Sequence, residues 1–77
     1  MIINIKDTLT LDDNNEYVVI SKLNYDNKKY YYLLDKNNNN PKFCYEDNDE
    51  LVEIDDKDLT TKLLPLFVEV AQKEVNA

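Results

Sequence analysis

The chain of 77 residues contains no glycine, tryptophan, histidine or arginine, and Cys44 is its only cysteine. Without glycine it cannot build the phosphate-binding loops of P-loop or dinucleotide-binding proteins. The lack of histidine and of a second cysteine excludes an ordinary zinc site and an intramolecular disulfide. All nine basic residues are lysines, so the bidentate guanidinium fork that reads phosphates and base edges is missing.

The charge balance is strongly acidic, with a formal net charge of −7 and a pI near 4.3. Direct binding to DNA, RNA or an anionic membrane is therefore disfavoured, because contacts with phosphates need clustered cations. An acidic surface instead steers a small protein toward a partner with a basic surface. Residues 1–5 are too short an apolar run for a signal peptide and lack a basic leader. Together with the unpaired cysteine, this predicts a cytoplasmic protein.

The sequence from Tyr17 to Leu34 predicts a central β-hairpin. Two runs rich in Val, Ile and Tyr flank the polar turn 25–28, where Asp and Asn permit a tight reversal. Alternating residues at 8–11 predict an edge strand, and two short strands are expected at 42–46 and 50–54. Alternation along the first hairpin strand predicts that Tyr17, Val19 and Leu23 share one face, and its two apolar faces predict an interior position in the sheet.

Helical signals begin at Asp55 or Asp56, where an acidic N-cap would accept hydrogen bonds from the first amides. Apolar residues then recur at helical spacing, and Pro65 interrupts them, so a kink or a break is expected at Leu64. The predicted fold class is α+β: an antiparallel meander of four to five strands (about 2–54), followed by a helical segment (about 56–75) packed on one face. The prediction treats residues 1–77 as one domain. Incomplete coverage of the helix by so small a sheet would favour a homodimer.

The order of these parts resembles a known family. A Thr8–Leu11 strand, an acidic turn, a strand ending near Leu23–Tyr25, an apolar Leu33–Leu34 and an amphipathic C-terminal helix are similar to the YrzB-like family of small acidic bacterial proteins of unknown function. The resemblance covers roughly residues 7–74 and implies the fold. It implies no catalytic residues, and the chain departs from the family where turns expected to carry glycine carry asparagine.

Residues 46–58, called the acidic segment below, hold eight of the sixteen acidic residues of the chain and only one lysine, Lys57. The segment could be solvated surface that caps the helix, a docking patch for a basic partner, a mimic of nucleic-acid phosphates, or a divalent-cation site. A calcium loop is disfavoured because the turn glycine is missing. The candidate partner-binding carboxylates are Glu46, Asp47, Asp49, Glu50, Glu53, Asp55, Asp56 and Asp58.

Three consecutive tyrosines, Tyr30, Tyr31 and Tyr32, are a second candidate. Alternation places Tyr31 opposite the other two, so at least one ring is expected on the outer face, where tyrosine is a good interface anchor. Core packing, a protein interface and stacking on nucleobases are the three alternatives. Tyr31 is the tyrosine included in the predicted partner-binding surface.

Catalysis is not expected. A cysteine nucleophile needs a base and a lowered pKa, and Cys44 has no histidine to help it. Ser21, the only serine, lies within a predicted strand. The sequence therefore predicts a non-enzymatic binding or regulatory protein, bacterial or phage-encoded, that uses no cofactor or metal and docks on a protein partner. The alternative is a nucleic-acid-mimic inhibitor of a basic enzyme, such as a phage inhibitor of a defence nuclease.

Overall fold

The computed structural model describes the backbone of residues 2–76 and the side chains of residues 2–73. It is an α+β fold in which a five-stranded antiparallel meander, in the order β1-β2-β3-β4-β5, precedes one helix. The elements are β1 (Thr8–Thr10), β2 (Glu16–Tyr25), β3 (Lys28–Asp35), β4 (Pro41–Asp47), β5 (Glu50–Glu53) and α1 (Lys57–Asn76). The predicted class and order of elements are confirmed, as is the interior position of β2. Met1 and Ala77, part of the predicted domain, lie outside the described residues.

Two tight turns form without glycine. Asp26 and Asn27 join β2 to β3 with φ angles of 52° and 63°, and Asn48 and Asp49 join β4 to β5 with φ angles of 51° and 64°. Positive φ at both central residues is the type I′ geometry, whose twist matches that of the flanking strands. Asn and Asp tolerate this left-handed geometry better than other residues with a side chain. The polar pairs in the sequence thus set the hairpin registers.

Both faces of the curled sheet are covered. On one face α1 packs over an aromatic cluster in which Tyr30, Leu63 and Phe67 are buried. On the other face, β1, β5 and the N-terminal residues surround a second cluster. Its buried members are Ile3, Tyr17, Val19, Tyr31, Leu33 and Cys44, with Leu9, Leu11 and Leu51 packed against them. Residues of β1 and β5 line one groove on this second face, so the curl brings the two edge strands near each other.

A β-bulge in β2 changes which side chains share a face. The register between β2 and β3 shifts between Val19 and Ser21, and one extra residue inverts the alternation beyond it. Tyr17 and Val19 consequently belong to the cluster away from the helix, whereas Leu23 packs under the helix. The prediction that these three residues share one face is wrong for Leu23.

The helix begins at Lys57, and Asp56 is its N-cap, accepting hydrogen bonds from the amides of Asp58 and Leu59 at 3.0 and 3.2 Å. The helix continues through Pro65, so of the two alternatives predicted at Leu64, a kink or a break, the break is wrong. An interior proline costs about 3 kcal/mol, and burial of each large apolar side chain contributes about 1.5–3 kcal/mol. Leu63 and Phe67 are both fully buried, and together they outweigh the proline.

Within residues 2–76, no helix has both the length and the apolar character needed to cross a membrane.

Candidate functional site

The acidic segment follows the edge strand β5 and both of its ends. It starts in the last residues of β4, passes through the Asn48–Asp49 turn and β5, and ends in the first turn of α1. Seven of its eight carboxylate residues are exposed, and Glu46 is half-buried. The eight predicted residues therefore lie along one edge of the sheet and beside the helix N-terminus. Their exposure agrees both with a docking surface and with solvated surface.

Tyr31 does not belong to this exposed surface. The residue is only 3% exposed, and its hydroxyl donates to Glu46 Oε1 at 3.4 Å. Burial, followed by the negative charge of Glu46, raises the pKa of the tyrosine. The expectation that Tyr31 is an exposed interface anchor is wrong, because the curled sheet covers both faces of β3 and leaves no outer face at its centre.

Lys42 connects the two edges of the sheet electrostatically. Its Nζ lies 3.1 Å from Asp13 Oδ2, in the β1–β2 turn, and 3.7 Å from Glu53 Oε2, on β5. It also lies 5.0 Å from the centre of the Tyr17 ring. Burial alone would lower the pKa of Lys42, but the hydrogen bond to Asp13 and the charge of Glu53 outweigh burial and raise it.

Asp13 is the most strongly held carboxylate of this group. The Tyr17 hydroxyl donates to its Oδ2 at 2.6 Å, and the amide of Asn15 donates to its Oδ1 at 3.0 Å. These two hydrogen bonds, with the bond from Lys42, lower the pKa of Asp13 to about 2. The acid stays ionised at every physiological pH and fixes the turn beside the groove.

The groove between β1 and β5, called the edge groove below, has a volume of about 800 Å³. Leu9, Leu11 and Leu51 supply apolar surface. Three exposed carboxylates of the acidic segment, Asp49, Glu50 and Glu53, stand at its rim. The groove is the place where the acidic segment adjoins apolar surface. That combination suits a polypeptide with both basic and apolar side chains.

The nucleophile candidates are held in structural roles. Cys44 is 2% exposed, and burial raises the pKa of its thiol to about 11, so the thiol is protonated at neutral pH. The Ser21 hydroxyl is fully buried and donates to the carbonyl oxygen of Phe67 at 2.9 Å. The first group packs the core, and the second ties β2 to the helix.

Among the residues with described positions, no three acidic, cysteine or histidine side chains are grouped closely enough to hold a metal ion. In α1 up to Lys73, where side chains are described, the exposed large apolar side chains are Leu64 and Val68, which are 40% and 44% exposed and lie one turn apart. The sheet thus leaves part of the apolar face of the helix uncovered, which is the condition under which the sequence favours a homodimer. The homodimer inferred from it stays a prediction.

Several groove residues were not predicted from the sequence. Leu9, Leu11 and Asp13 lie outside the acidic segment and reach its neighbourhood only because the sheet curls, whereas Lys42 lies beside Glu53 because β4 pairs with β5. Two strands at opposite ends of a five-stranded meander give no local signal of their approach. The alternation at 8–11 marks a strand with one buried face, but it does not identify what lies beside that strand.

No protein-family model, curated protein or solved structure matches this chain. The resemblance to the YrzB-like family stays a prediction.

Proposed function

We propose that this protein is a non-enzymatic binding or regulatory protein of the cytoplasm that docks on the basic surface of a protein partner through its acidic segment. The observation that carries the proposal is the placement of seven exposed carboxylates along β5 and its two ends, with Lys57 as the only lysine of the segment. Such a surface raises the association rate with a basic partner and repels acidic ones.

The apolar edge groove supports docking over a purely solvated surface. Charges at an interface rim contribute mainly to rate and specificity, whereas buried apolar contacts supply most of the affinity. In this protein the rim carboxylates Glu50 and Glu53 stand beside Leu9, Leu11 and Leu51. The two kinds of surface adjoin, as an interface requires.

The proposal assigns no catalysis. The Cys44 thiol is buried with a raised pKa, and the Ser21 hydroxyl is buried and hydrogen-bonded to the helix backbone. Neither group is placed to attack a substrate. The single buried thiol also fits a reducing compartment, which supports a cytoplasmic location.

The test is affinity capture from the native host with a matched pair of triple variants. The test variant combines Asp47→Asn, Glu50→Gln and Glu53→Gln, all within the acidic segment. The control combines Asp26→Asn, Glu16→Gln and Glu69→Gln, which removes the same three charges from exposed sites elsewhere. We expect a basic protein that the unmodified chain and the control retain and that the test variant loses, and we expect retention to weaken with added salt.

Equal capture by both variants would show that the acidic segment is not the docking surface. The nucleic-acid-mimic alternative predicts in addition that DNA or RNA displaces this protein from the captured enzyme. The reason is that the mimic and the nucleic acid would compete for the same basic groove of that enzyme. A complex that forms through the acidic segment but is not displaced by excess nucleic acid would support the docking hypothesis and contradict the mimicry hypothesis.

A further inference from the structure

The edge groove is bounded by the two edge strands of the sheet. Antiparallel sheets that curl without closing leave a row of backbone donors and acceptors along each edge. Binding by strand addition uses such a row for affinity and uses pockets beside it for alternate side chains. The groove combines both features, since Leu9, Leu11 and Leu51 form apolar surface between β1 and β5.

The hydrogen-bond pattern shows which groups of β5 face the groove. Bonded and non-bonded pairs alternate along an antiparallel ladder. Ile54 N donates to Phe43 O at 2.8 Å, so the neighbouring pair, Cys44 and Glu53, is non-bonded. The amide and carbonyl groups of Glu53 therefore point away from β4, and two residues earlier those of Leu51 do the same.

The same alternation applies to β1. Leu11 N donates to Asn15 O at 3.1 Å, which makes Leu9 the next residue whose backbone groups face β2. The amide and carbonyl groups of Thr8 and Thr10 therefore point away from β2. Both edge strands direct backbone groups outward, and the strand with the longer edge is β5, with four residues against three.

The charges around the groove define what can enter it. Its lining carries one lysine, Lys42, which is already paired with two carboxylates. The five acidic residues of the lining are Asp12, Asp13, Asp49, Glu50 and Glu53. An entering segment must therefore be basic where it meets the rim and apolar where it meets the leucines. In an extended strand, alternate side chains point in opposite directions, so an alternating sequence satisfies both demands.

We propose that the edge groove receives an extended segment of the protein partner, with apolar residues alternating with lysine or arginine, as a strand added to the free edge of β5. The proposal rests on the proposed function, because it specifies the part of the basic partner that binds. Backbone groups of the segment pair with Leu51 and Glu53. Its apolar side chains cover the leucines on the face that Leu51 and Glu53 share, and its basic side chains, which lie on the opposite face, meet Glu50.

A pair of synthetic peptides separates strand addition from charge attraction. One has eight residues in which lysine and valine alternate, and the other has the same composition arranged as four lysines followed by four valines. We expect the alternating peptide to bind at least about tenfold more tightly, because only it can present one apolar and one basic face as a strand. Hydrogen exchange measured by NMR should slow at the amides of Leu51 and Glu53.

Two substitutions at one residue provide the matched test on the protein. Glu53→Ala and Glu53→Pro both remove the carboxylate, but only proline also removes the outward amide. Proline is tolerated on an edge strand when its nitrogen faces solvent. We expect Glu53→Ala to weaken binding of the alternating peptide a few-fold, and Glu53→Pro to weaken it about tenfold further.

Circular dichroism establishes that each variant is folded. If Glu53→Pro does not fold, the alternating peptide with N-methylated valines makes the same test on the ligand, and it should bind about tenfold less tightly than its parent.

Equal binding of the two peptides, or equal loss in the two Glu53 variants, would overturn strand addition. The proposed function would survive that result, because capture through the acidic segment is measured separately with the triple variants. Sedimentation provides one more decisive outcome. A dimer that protects the Leu51 and Glu53 amides without peptide would overturn the proposal by assigning the edge to a second copy of the chain.

Discussion

At the scale of single residues, the lack of glycine means that residues with a side chain must adopt the left-handed backbone geometry that turns require. Of the seven non-glycine residues with positive φ in the described chain, six are Asn or Asp, whose short polar side chains tolerate that region. Lys6 is the exception, with φ of 78°. Its amide donates to Val19 O at 2.8 Å, so pairing with β2 beside the bulge holds it in place.

Lys6→Gly is expected to stabilise the fold by about 0.5–1 kcal/mol. Left-handed geometry costs about 1–2 kcal/mol for a residue with a Cβ, and part of that gain is lost because glycine frees the unfolded chain. Urea unfolding measures the change. Lys6→Ala is the control, since it removes the lysine side chain and keeps the Cβ. If Lys6→Gly is no more stable than Lys6→Ala, the positive φ at residue 6 does not strain the fold.

Asp13→Asn is expected to remove part of the acid sensitivity of the protein. The pKa of Asp13 is about 2 in the folded chain against an ordinary value of 3.8. Its ionised form therefore stabilises the fold above the ordinary value, and that contribution is lost as the pH falls toward the folded value. From about pH 5 to about pH 3 the free energy of unfolding should fall less in the variant than in the unmodified protein.

Urea unfolding at each pH checks this prediction. Asp12→Asn, an exposed acid in the same turn, is the control. Equal losses of stability in Asp13→Asn and in the unmodified protein would contradict a special role for Asp13.

At the scale of elements, the helix α1 carries an interior proline and remains continuous. Pro65→Ala is expected to stabilise the protein by about 1–3 kcal/mol. Alanine is about 3 kcal/mol more favourable in a helix interior, and about 1 kcal/mol is lost because proline restricts the unfolded chain. Pro65 is exposed, so little packing changes. Thermal and urea unfolding measure the gain.

Val68→Ala is the matched control for Pro65→Ala, because it shortens an exposed side chain of the same helix without changing the backbone. A loss of stability in Pro65→Ala would show instead that the proline ring makes contacts that outweigh its backbone cost.

The strands were predictable where local chemistry decides them. The Asp26–Asn27 turn and its β-forming flanks predict the central hairpin, and an acidic N-cap at Asp55 or Asp56 predicts the start of the helix, where the structure has Asp56. The bulge after Val19 was not predictable, since Val, Ile and Ser in sequence are ordinary strand residues. Its position depends on bonds that distant residues make: the pairing of Lys6 with Val19, and of Ser21 with Phe67.

At the scale of the whole molecule, the curl of the sheet decides the candidate site. The position of the acidic segment and the exposure of most of its carboxylates can be predicted from the local sequence alone. The burial of Tyr31 and the approach of Asp13 to Glu53 through Lys42 cannot. Residues forty positions apart in a meander meet only when the sheet twists and coils around one core. Alternation along each strand does not specify how the sheet curls. Of the residues that line the groove, the predicted site therefore included only Asp49, Glu50 and Glu53.

The net charge of −7 gives the molecule a salt dependence of its own. The radius of gyration is 11.8 Å, close to the Debye length of about 10 Å at 0.1 M salt, so carboxylates across the molecule repel one another in dilute buffer. Raising sodium chloride from about 0.05 to about 0.5 M should raise the melting temperature by a few degrees. Calorimetry measures the shift. A fall would show that attraction within pairs such as Lys42 and Asp13 outweighs the repulsion.

The two triple variants locate that repulsion. Removing three charges from the acidic segment (Asp47→Asn, Glu50→Gln, Glu53→Gln) should shrink the salt response, because Asp47 and Glu50 stand among other acids, although Glu53 pairs with Lys42 at 3.7 Å. The dispersed triple (Asp26→Asn, Glu16→Gln, Glu69→Gln) should shrink it less, since Glu16 pairs with Lys36 at 3.6 Å and Glu69 with Lys73 at 3.7 Å. If salt raises the melting temperature equally in the two triple variants, net charge alone governs the salt dependence. The acidic segment would then not concentrate the negative potential that is proposed to attract a basic partner.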